Sequence, residues 1–408
     1  MINVEQIVEM ENEKNRNIVN LIASENYMFS ELVYLKKLIM SKYAEGNIGK
    51  RYYSGCQNID KVEQFAINNF KQIFNCKYVI IQALSGSIAN LAILSAFYDD
   101  NKKEKEVVLV LKLKDGSHLS HGFIKHFSRK LFNYVYFSLY ENQIIDYKHL
   151  IFLIKKIRPI IVIVGFSVYS YDIDYEIIKK ACMDTKSLLF ADISHTSGLI
   201  VSKVLSNPFP YADIVMTTTH KTLKGSKGAI IMCNKKIIYD KIFSALFPGL
   251  QGGPNVQSLF DLALLSQLIQ KTDFYFLNKR IVANTKFFIS CLKSKGFSIF
   301  SSSSENHMFL LSTKCFGFNG LESQKILESV NIFVNANIFP IDSNFKDVSG
   351  IRIGMAAITS LGFCLDHIEI LSNIFYELFV LKKEVKLIKK RVKFLLLSLK
   401  QNNIKNML

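Results

Sequence analysis

The chain has 408 residues, 49% of them hydrophobic, and a mean hydropathy of +0.18, which suits a substantial core and excludes a disordered chain. Its formal net charge of +17 invites a polyanion, yet Lys and Arg are spread along the chain rather than gathered in one module, so the charge reads as compositional drift compatible with a small anionic ligand. No apolar run approaches the ~20 residues that span a bilayer, the start MINVEQ has neither a secretory nor a basic presequence pattern, and the seven cysteines lack paired spacing; the expectation is a cytoplasmic protein with reduced thiols, no metal site, no membrane partner and no nucleic-acid role.

Taken in chain order, apolar runs of strand length lie at 78–82, 107–111, 134–137, 160–164, 188–191 and 214–217, with helix-like stretches between them. Continuous apolar strands alternating with helices predict an α/β chain whose mostly parallel sheet is covered on both faces. After a Gly-rich turn at 249–254, a long helical stretch at 258–286 leads to a second region with a serine loop at 301–304. Residues 291–408 predict a smaller α+β domain. The tail 381–400 spaces apolar residues among lysines, which predicts an amphipathic helix with one packed and one solvated face rather than a membrane-surface element.

Three places along this pattern carry chemistry. The stretch 83–90 joins a strand to a helix through small residues, and backbone N–H groups at such a start, beside Ser85, Gly86 and Ser87, make a phosphate site. Asp192 closes the fifth apolar run, where a carboxylate can pair with a pyridinium nitrogen and keep it protonated. Lys221 follows the sixth run among small residues; partial desolvation there lowers an amine's pKa and frees it for Schiff-base chemistry. Singly these are an ordinary turn, a helix-capping Asp and a solvated Lys. In this order they predict a pyridoxal-phosphate enzyme of the aspartate-aminotransferase fold, acting on amino acids.

Seven longer blocks narrow the reading: LIASEN at 21–26, KYAEG at 42–46, GKRYY at 49–53, HLSHG at 118–122, TTTHKTL at 217–223, FPGLQGGP at 247–254 and SGIRIG at 349–354. In this order they resemble serine hydroxymethyltransferase, over about residues 10–370. The resemblance implies a large cofactor domain at 25–270 with a mostly parallel seven-stranded sheet, an N-terminal arm at 1–24 and a small C-terminal α+β domain at 271–408. It implies reversible conversion of L-serine and tetrahydrofolate, polyglutamated, to glycine and 5,10-methylenetetrahydrofolate, in a homodimer or tetramer with shared active sites.

By the same resemblance, Lys221 would carry the cofactor as an aldimine, Asp192 would pair with its ring nitrogen and His118 would stack on its face. Ser167 and His195 would lie near the phenolic oxygen. Ser85, Gly86 and Ser87 would take the phosphate, helped across the subunit interface by Gly252 and Gly253, and Tyr43 and Tyr53 would also reach in from the neighbouring subunit. Ser24, Tyr53, His195 and Arg352 would form the amino-acid pocket, with the planar fork of Arg352 on the carboxylate. Glu45 would move the proton of the serine hydroxyl, and Thr218 and His220 would govern proton relay. Glu45, Leu113, Gly116, Ser117, Leu119 and Asn337 would contact folate.

The chain departs from the family pattern near these contacts. Ile88 replaces Gln and Leu84 replaces His around the phosphate turn, and Ser226 and Lys227 replace Pro and Arg after the lysine motif; Lys227 keeps the charge but not the fork. Asp115 and Ser117 alter the folate loop, and Asn47 and Ile48 replace Tyr-Pro. Two alternatives stand beside the main reading. A folate-independent aldolase of the threonine-aldolase kind would keep Lys221, Asp192 and Arg352 but has no need of Glu45, Tyr53 or the block at 118–122. A decayed homologue kept for binding would lose its chemical residues first, whereas they persist here.

Overall fold

β-Branched runs without polar interruption make strands that tolerate burial on both faces, and in Ile161–Val164 all four residues are buried. In the computed structural model, which describes residues 3–35, 41–140, 143–339, 342 and 348–405, with side chains to 399, this strand lies inside a seven-stranded sheet. The order across the sheet is Tyr78–Ile80, Ala229–Cys233, Ile214–Thr218, Leu188–Asp192, Ile161–Val164, Val107–Leu111, Asn133–Phe137. From Ile214–Thr218 onward every neighbour is parallel, and Ala229–Cys233 runs antiparallel to both of its neighbours.

The expected runs all form strands. The seventh strand, Ala229–Cys233, is not among them: five apolar residues show no period that separates a buried strand from a helical turn. The expected helix at 258–286 is two helices, Val256–Leu268 and Thr272–Ser294, since Thr272 and Asp273 supply a new helix start after a turn at 269–271.

Local chemistry bounds the helices between strands. Asp146 and Asp174 cap Tyr147–Ile157 and Tyr175–Thr185 by accepting the N–H groups of His149 and Ile177. Arg158 and Lys186 end these helices in the left-handed conformation. One sheet face, with Val110, Ile163, Phe190, Met216 and Ile231, packs on the helices Gly86–Ser95 and Lys236–Leu246 through Ala92, Ile93, Ile238 and Ile242. Each large aliphatic chain so buried contributes about 1.5–3 kcal/mol, which fixes the loops at the strand ends.

Two compact units result: Met28–Lys279, and Met1–Tyr27 together with Arg280–Leu408. The sequence reading put the boundaries at 24/25 and 270/271 with a separate arm. Here the first residues belong with the C-terminal unit, because Val19–Asn20 pairs in parallel with Ile332–Phe333 and the Gly354 N–H donates to the Leu21 carbonyl at 2.7 Å. That unit has a four-stranded antiparallel sheet in the order Ser298–Ile299, Met308–Ser312, Gly350–Gly354, Asn335–Asn337. Its core includes the edge-to-face rings of Phe288, Phe297, Phe375 and Phe379, and its last helix is Val385–Lys405. All seven cysteines are free, and no described helix is long and apolar enough to cross a membrane.

Candidate active site

Open α/β sheets bind ligands beyond the carboxyl ends of their parallel strands, and a cavity of about 280 Å³ lies there in the Met28–Lys279 unit. The turn after Tyr78–Ile80 supplies Ser85, Gly86 and Ser87 to its wall, the loop after Val107–Leu111 supplies His118, and the turn after Ile161–Val164 supplies Ser167. Leu188–Asp192 ends in Asp192 and is followed by His195. Ile214–Thr218 ends in Thr218 and is followed by His220 and Lys221. Ten of the sequence-predicted residues thus share one cavity.

The phosphate turn is built for close approach. Ser85 caps the helix Gly86–Ser95, its Oγ accepting the Ile88 N–H at 3.3 Å, and the first N–H groups of any helix lack an intrahelical acceptor. A Cβ at Gly86 would lie 2.6 Å from Thr218 Cγ2, so only glycine lets the turn sit this close to the end of Ile214–Thr218. Gln251 clasps the turn from behind, accepting the Leu84 N–H at 3.3 Å and donating to the Gln82 carbonyl at 2.7 Å. Lys227 adds a cation to the same cavity wall.

The Asp192 side chain is 7% exposed and richly hydrogen-bonded. Its Oδ2 accepts from His121 Nε2 at 3.0 Å and Asn90 Nδ2 at 3.1 Å, and its Oδ1 accepts the Ser194 N–H at 3.1 Å. Burial opposes ionisation, but the His121 contact, the Ser194 N–H and nearby His118 hold the carboxyl well below the usual carboxylate range. His118 has the opposite tendency: burial, then the neighbouring His121 and Lys221, push it down to about 4, so it is neutral at neutral pH. Its Nδ1 accepts the Ser120 N–H at 3.2 Å, which assigns the ring proton to Nε2. Burial, with Lys221 and Lys227 beside it, takes His220 to about 4 as well, and its Nδ1 has no hydrogen-bond partner among the described residues.

Lys221 is 8% exposed, on a loop fastened at several points. The Thr219 N–H donates to the Gly228 carbonyl at 3.2 Å; Thr222 Oγ1 donates to the His195 carbonyl at 3.1 Å and accepts the Gly198 N–H at 3.0 Å. Thr218 N–H donates to Ser194 Oγ at 3.1 Å. The lysine is therefore positioned by its backbone neighbours on both sides.

Other predicted residues of this unit lie outside the cavity lining. Tyr43 and Tyr53 stack with centroids 5.1 Å apart and are 66% and 45% exposed. Glu45 packs on Gly252 and Gly253, its Oε1 2.9 Å from where a Gly252 Cβ would sit. The loop bearing Glu45 is organised by Arg51, whose side chain is 3% exposed and which donates to Asp60 Oδ1 at 2.7 Å and to the carbonyls of Ala44 and Gly46 at 2.7 and 2.6 Å, and pairs with buried Glu63. Leu113, Gly116, Ser117 and Leu119 share the loop after Val107–Leu111, and the Gly116 carbonyl accepts the N–H groups of Ser167 and Val168 at 2.8 and 3.2 Å. Asp115, an unexpected acid in that loop, is buried and accepts the Leu139 N–H at 3.2 Å, which gives it a structural use.

In the other unit, Arg352 lies on Gly350–Gly354, and its Nε donates to Asn335 Oδ1 at 3.1 Å. Burial takes its guanidinium down to about 10. Asn337 shares the strand of Asn335 and donates to the Ile338 carbonyl at 2.7 Å. Ser24 follows Ala23, whose carbonyl accepts from His307 Nε2 at 3.2 Å.

The serine hydroxymethyltransferase family model matches residues 2–375. The chain belongs to the serine hydroxymethyltransferase family. It is similar to the enzymes of that name from Baumannia cicadellinicola, at 38% identity over 87% of this chain and 85% of the relative, and from Phytoplasma mali, at 39% over 87% and 85%. The Francisella tularensis subsp. novicida enzyme is 38% identical over 90% of this chain and 88% of its own length.

Serine hydroxymethyltransferases are pyridoxal-phosphate enzymes with an α/β fold of this kind, and the residues present fit that cofactor: a helix start with a cation for phosphate, an ionised carboxylate and a buried lysine in one cavity. His121, Asn90, Gln251 and Asn335 escaped the sequence reading of the site. His121 and Asn90 sit inside blocks already singled out, but nothing in a linear sequence says that both converge on Asp192, one from a loop and the other from the helix Gly86–Ser95. Asn335 lies on a strand whose pairing with Arg352 only the fold creates.

Proposed function

We propose that this serine hydroxymethyltransferase interconverts L-serine and glycine with tetrahydrofolate through a pyridoxal phosphate held at Lys221, in the cytoplasm, as a homodimer or larger assembly with shared sites. The observation that carries the reading is Lys221 and a hydrogen-bonded, ionised Asp192 in the wall of one cavity that also contains the Ser85–Gly86–Ser87 helix start. When bound, the cofactor supplies an electron sink for the carbanion left at the amino-acid Cα. Asp192 would hold a proton on the ring nitrogen, with His121 and Asn90 fixing its orientation. Ser85, Ser87, the adjacent N–H groups and Lys227 would anchor the phosphate. Neutral His118 would lie against the ring, with Ser167 and His195 on its oxygen side. Lys221 would supply the amine that holds the cofactor, and Thr218 and His220 would relay protons beside it.

For the substrate, Arg352 would bind the carboxylate with Ser24, Tyr53 and His195, and Glu45 would carry the proton of the serine hydroxyl. Leu113, Gly116, Ser117, Leu119 and Asn337 would take the folate. Tyr43, Tyr53, Gly252 and Gly253 would act on a neighbouring subunit's cofactor, a role supported by the exposure of the two tyrosines. The test is an absorbance spectrum of the purified protein with glycine and then tetrahydrofolate, followed by borohydride and peptide mapping. A folate-dependent long-wavelength band and a reduced adduct on Lys221 are expected. Serine cleavage that ignores folate would assign an aldolase instead, and a protein that stays colourless with added cofactor would overturn the reading.

A further inference from the structure

The terminal helix Val385–Lys405 begins beyond the family match, which ends at residue 375. Ile388, Val392, Leu395, Leu396 and Leu399 are buried, which is the packed face expected from the sequence. At 100° per residue they occupy one side of the helix. The opposite side is not a simple solvated face: Leu387, Phe394 and Leu397 are 48%, 71% and 42% exposed, and Lys386, Lys390 and Lys393 are exposed between and beside them. No Asp or Glu occurs from 385 to 408, and the single arginine, Arg391, is engaged by Glu377.

We propose that this face is a docking surface for an anionic lipid bilayer, with Phe394, Leu387 and Leu397 entering the headgroup region and Lys386, Lys390 and Lys393 meeting lipid phosphates. A helix lying in the interface plane needs this combination of an apolar stripe and flanking cations. A second copy of the same face is disfavoured, because lysines would meet lysines. Nucleic acid would use the cations and could stack on Phe394, but leaves exposed Leu387 and Leu397 without a purpose. This proposal departs from the sequence expectation of no membrane partner, on which the described helices bear only as to spanning.

The experiment is co-sedimentation of the full-length holoenzyme with vesicles of phosphatidylcholine alone or mixed with phosphatidylglycerol. Binding to the mixed vesicles only, weakened by salt and by about fivefold for each lysine removed in K386Q, K390Q and K393Q, is the expected result. Phe394→Ser is expected to weaken vesicle binding while serine cleavage stays at the parental level, which shows that the variant is folded. Absence of binding to anionic vesicles at low salt overturns the proposal. So does single-stranded RNA binding that survives Phe394→Ser without vesicle binding, or a change of oligomeric mass in the lysine variants.

Discussion

Burial, more than ion pairing, sets the protonation of His118 and His220. His118 and His220 both fall from 6.5 to about 4 on folding. Above pH 6.5 each is neutral in folded and unfolded chains, and stability does not depend on it. Below 6.5 the unfolded chain takes up the proton first, so stability is lost as pH falls toward 4, and Asp192, held low, adds to the loss at still lower pH. Each histidine contributes at most about 1.4 kcal/mol per pH unit in that window. Urea unfolding across pH 4–7 checks this: the H118N/H220N double variant should flatten the slope, and an unchanged slope would mean other groups dominate. At the same scale, Lys227→Arg restores a forked donor to the cavity wall. Cofactor dissociation measured by fluorescence titration should tighten roughly five- to tenfold; no change would place the phosphate elsewhere.

Elements matter through the contacts that hold loops. Gly86→Ala puts a methyl 2.6 Å from Thr218 Cγ2 and should cost about 1–3 kcal/mol of stability along with weaker cofactor binding. Thr218→Ser removes that methyl, so the double variant should recover cofactor affinity; failure to recover would show that the strain lies elsewhere. Arg51→Ala leaves buried Glu63 without its cation and frees two loop carbonyls, an expected loss of about 3–5 kcal/mol in denaturant unfolding. Adding Glu63→Gln should return part of it.

These elements also show what was legible beforehand. The parallel strands were readable because Ile161–Val164 and its neighbours are apolar without interruption, and the order of small-residue turn, Asp and Lys at strand ends gave the cavity. Ala229–Cys233 was not readable, because its role as the antiparallel strand depends on partners at 78–80 and 214–218. The convergence of His121 and Asn90 on Asp192 was equally hidden, since it comes from how a loop and the helix Gly86–Ser95 pack at the strand end and not from spacing.

At the scale of the whole molecule, Lys221, Asp192 and the Ser85–Gly86–Ser87 turn line one cavity, while Tyr43 and Tyr53 lie exposed outside its lining. If sites are shared, mixing inactive Lys221→Arg and Tyr53→Phe chains after unfolding and refolding should return up to about a quarter of the parental activity, because half of the chains pair across variants and each such pair has one intact site. Homodimers of either variant supply none. A mixture as inactive as its components would mean that each chain completes its own site.

The parallel pairing of Val19–Asn20 with Ile332–Phe333 ties together two segments far apart along the polypeptide. On the ribosome, the apolar segment containing Ile18, Val19 and Leu21 emerges early and waits for its partner to be translated, a delay on the order of 15–60 s at ordinary elongation rates. Meanwhile the unit at 28–279 can be completed. The nascent chain thus carries a sticky, unsatisfied strand until residues 332–333 are made, and chaperone demand should concentrate on that segment rather than on the large sheet.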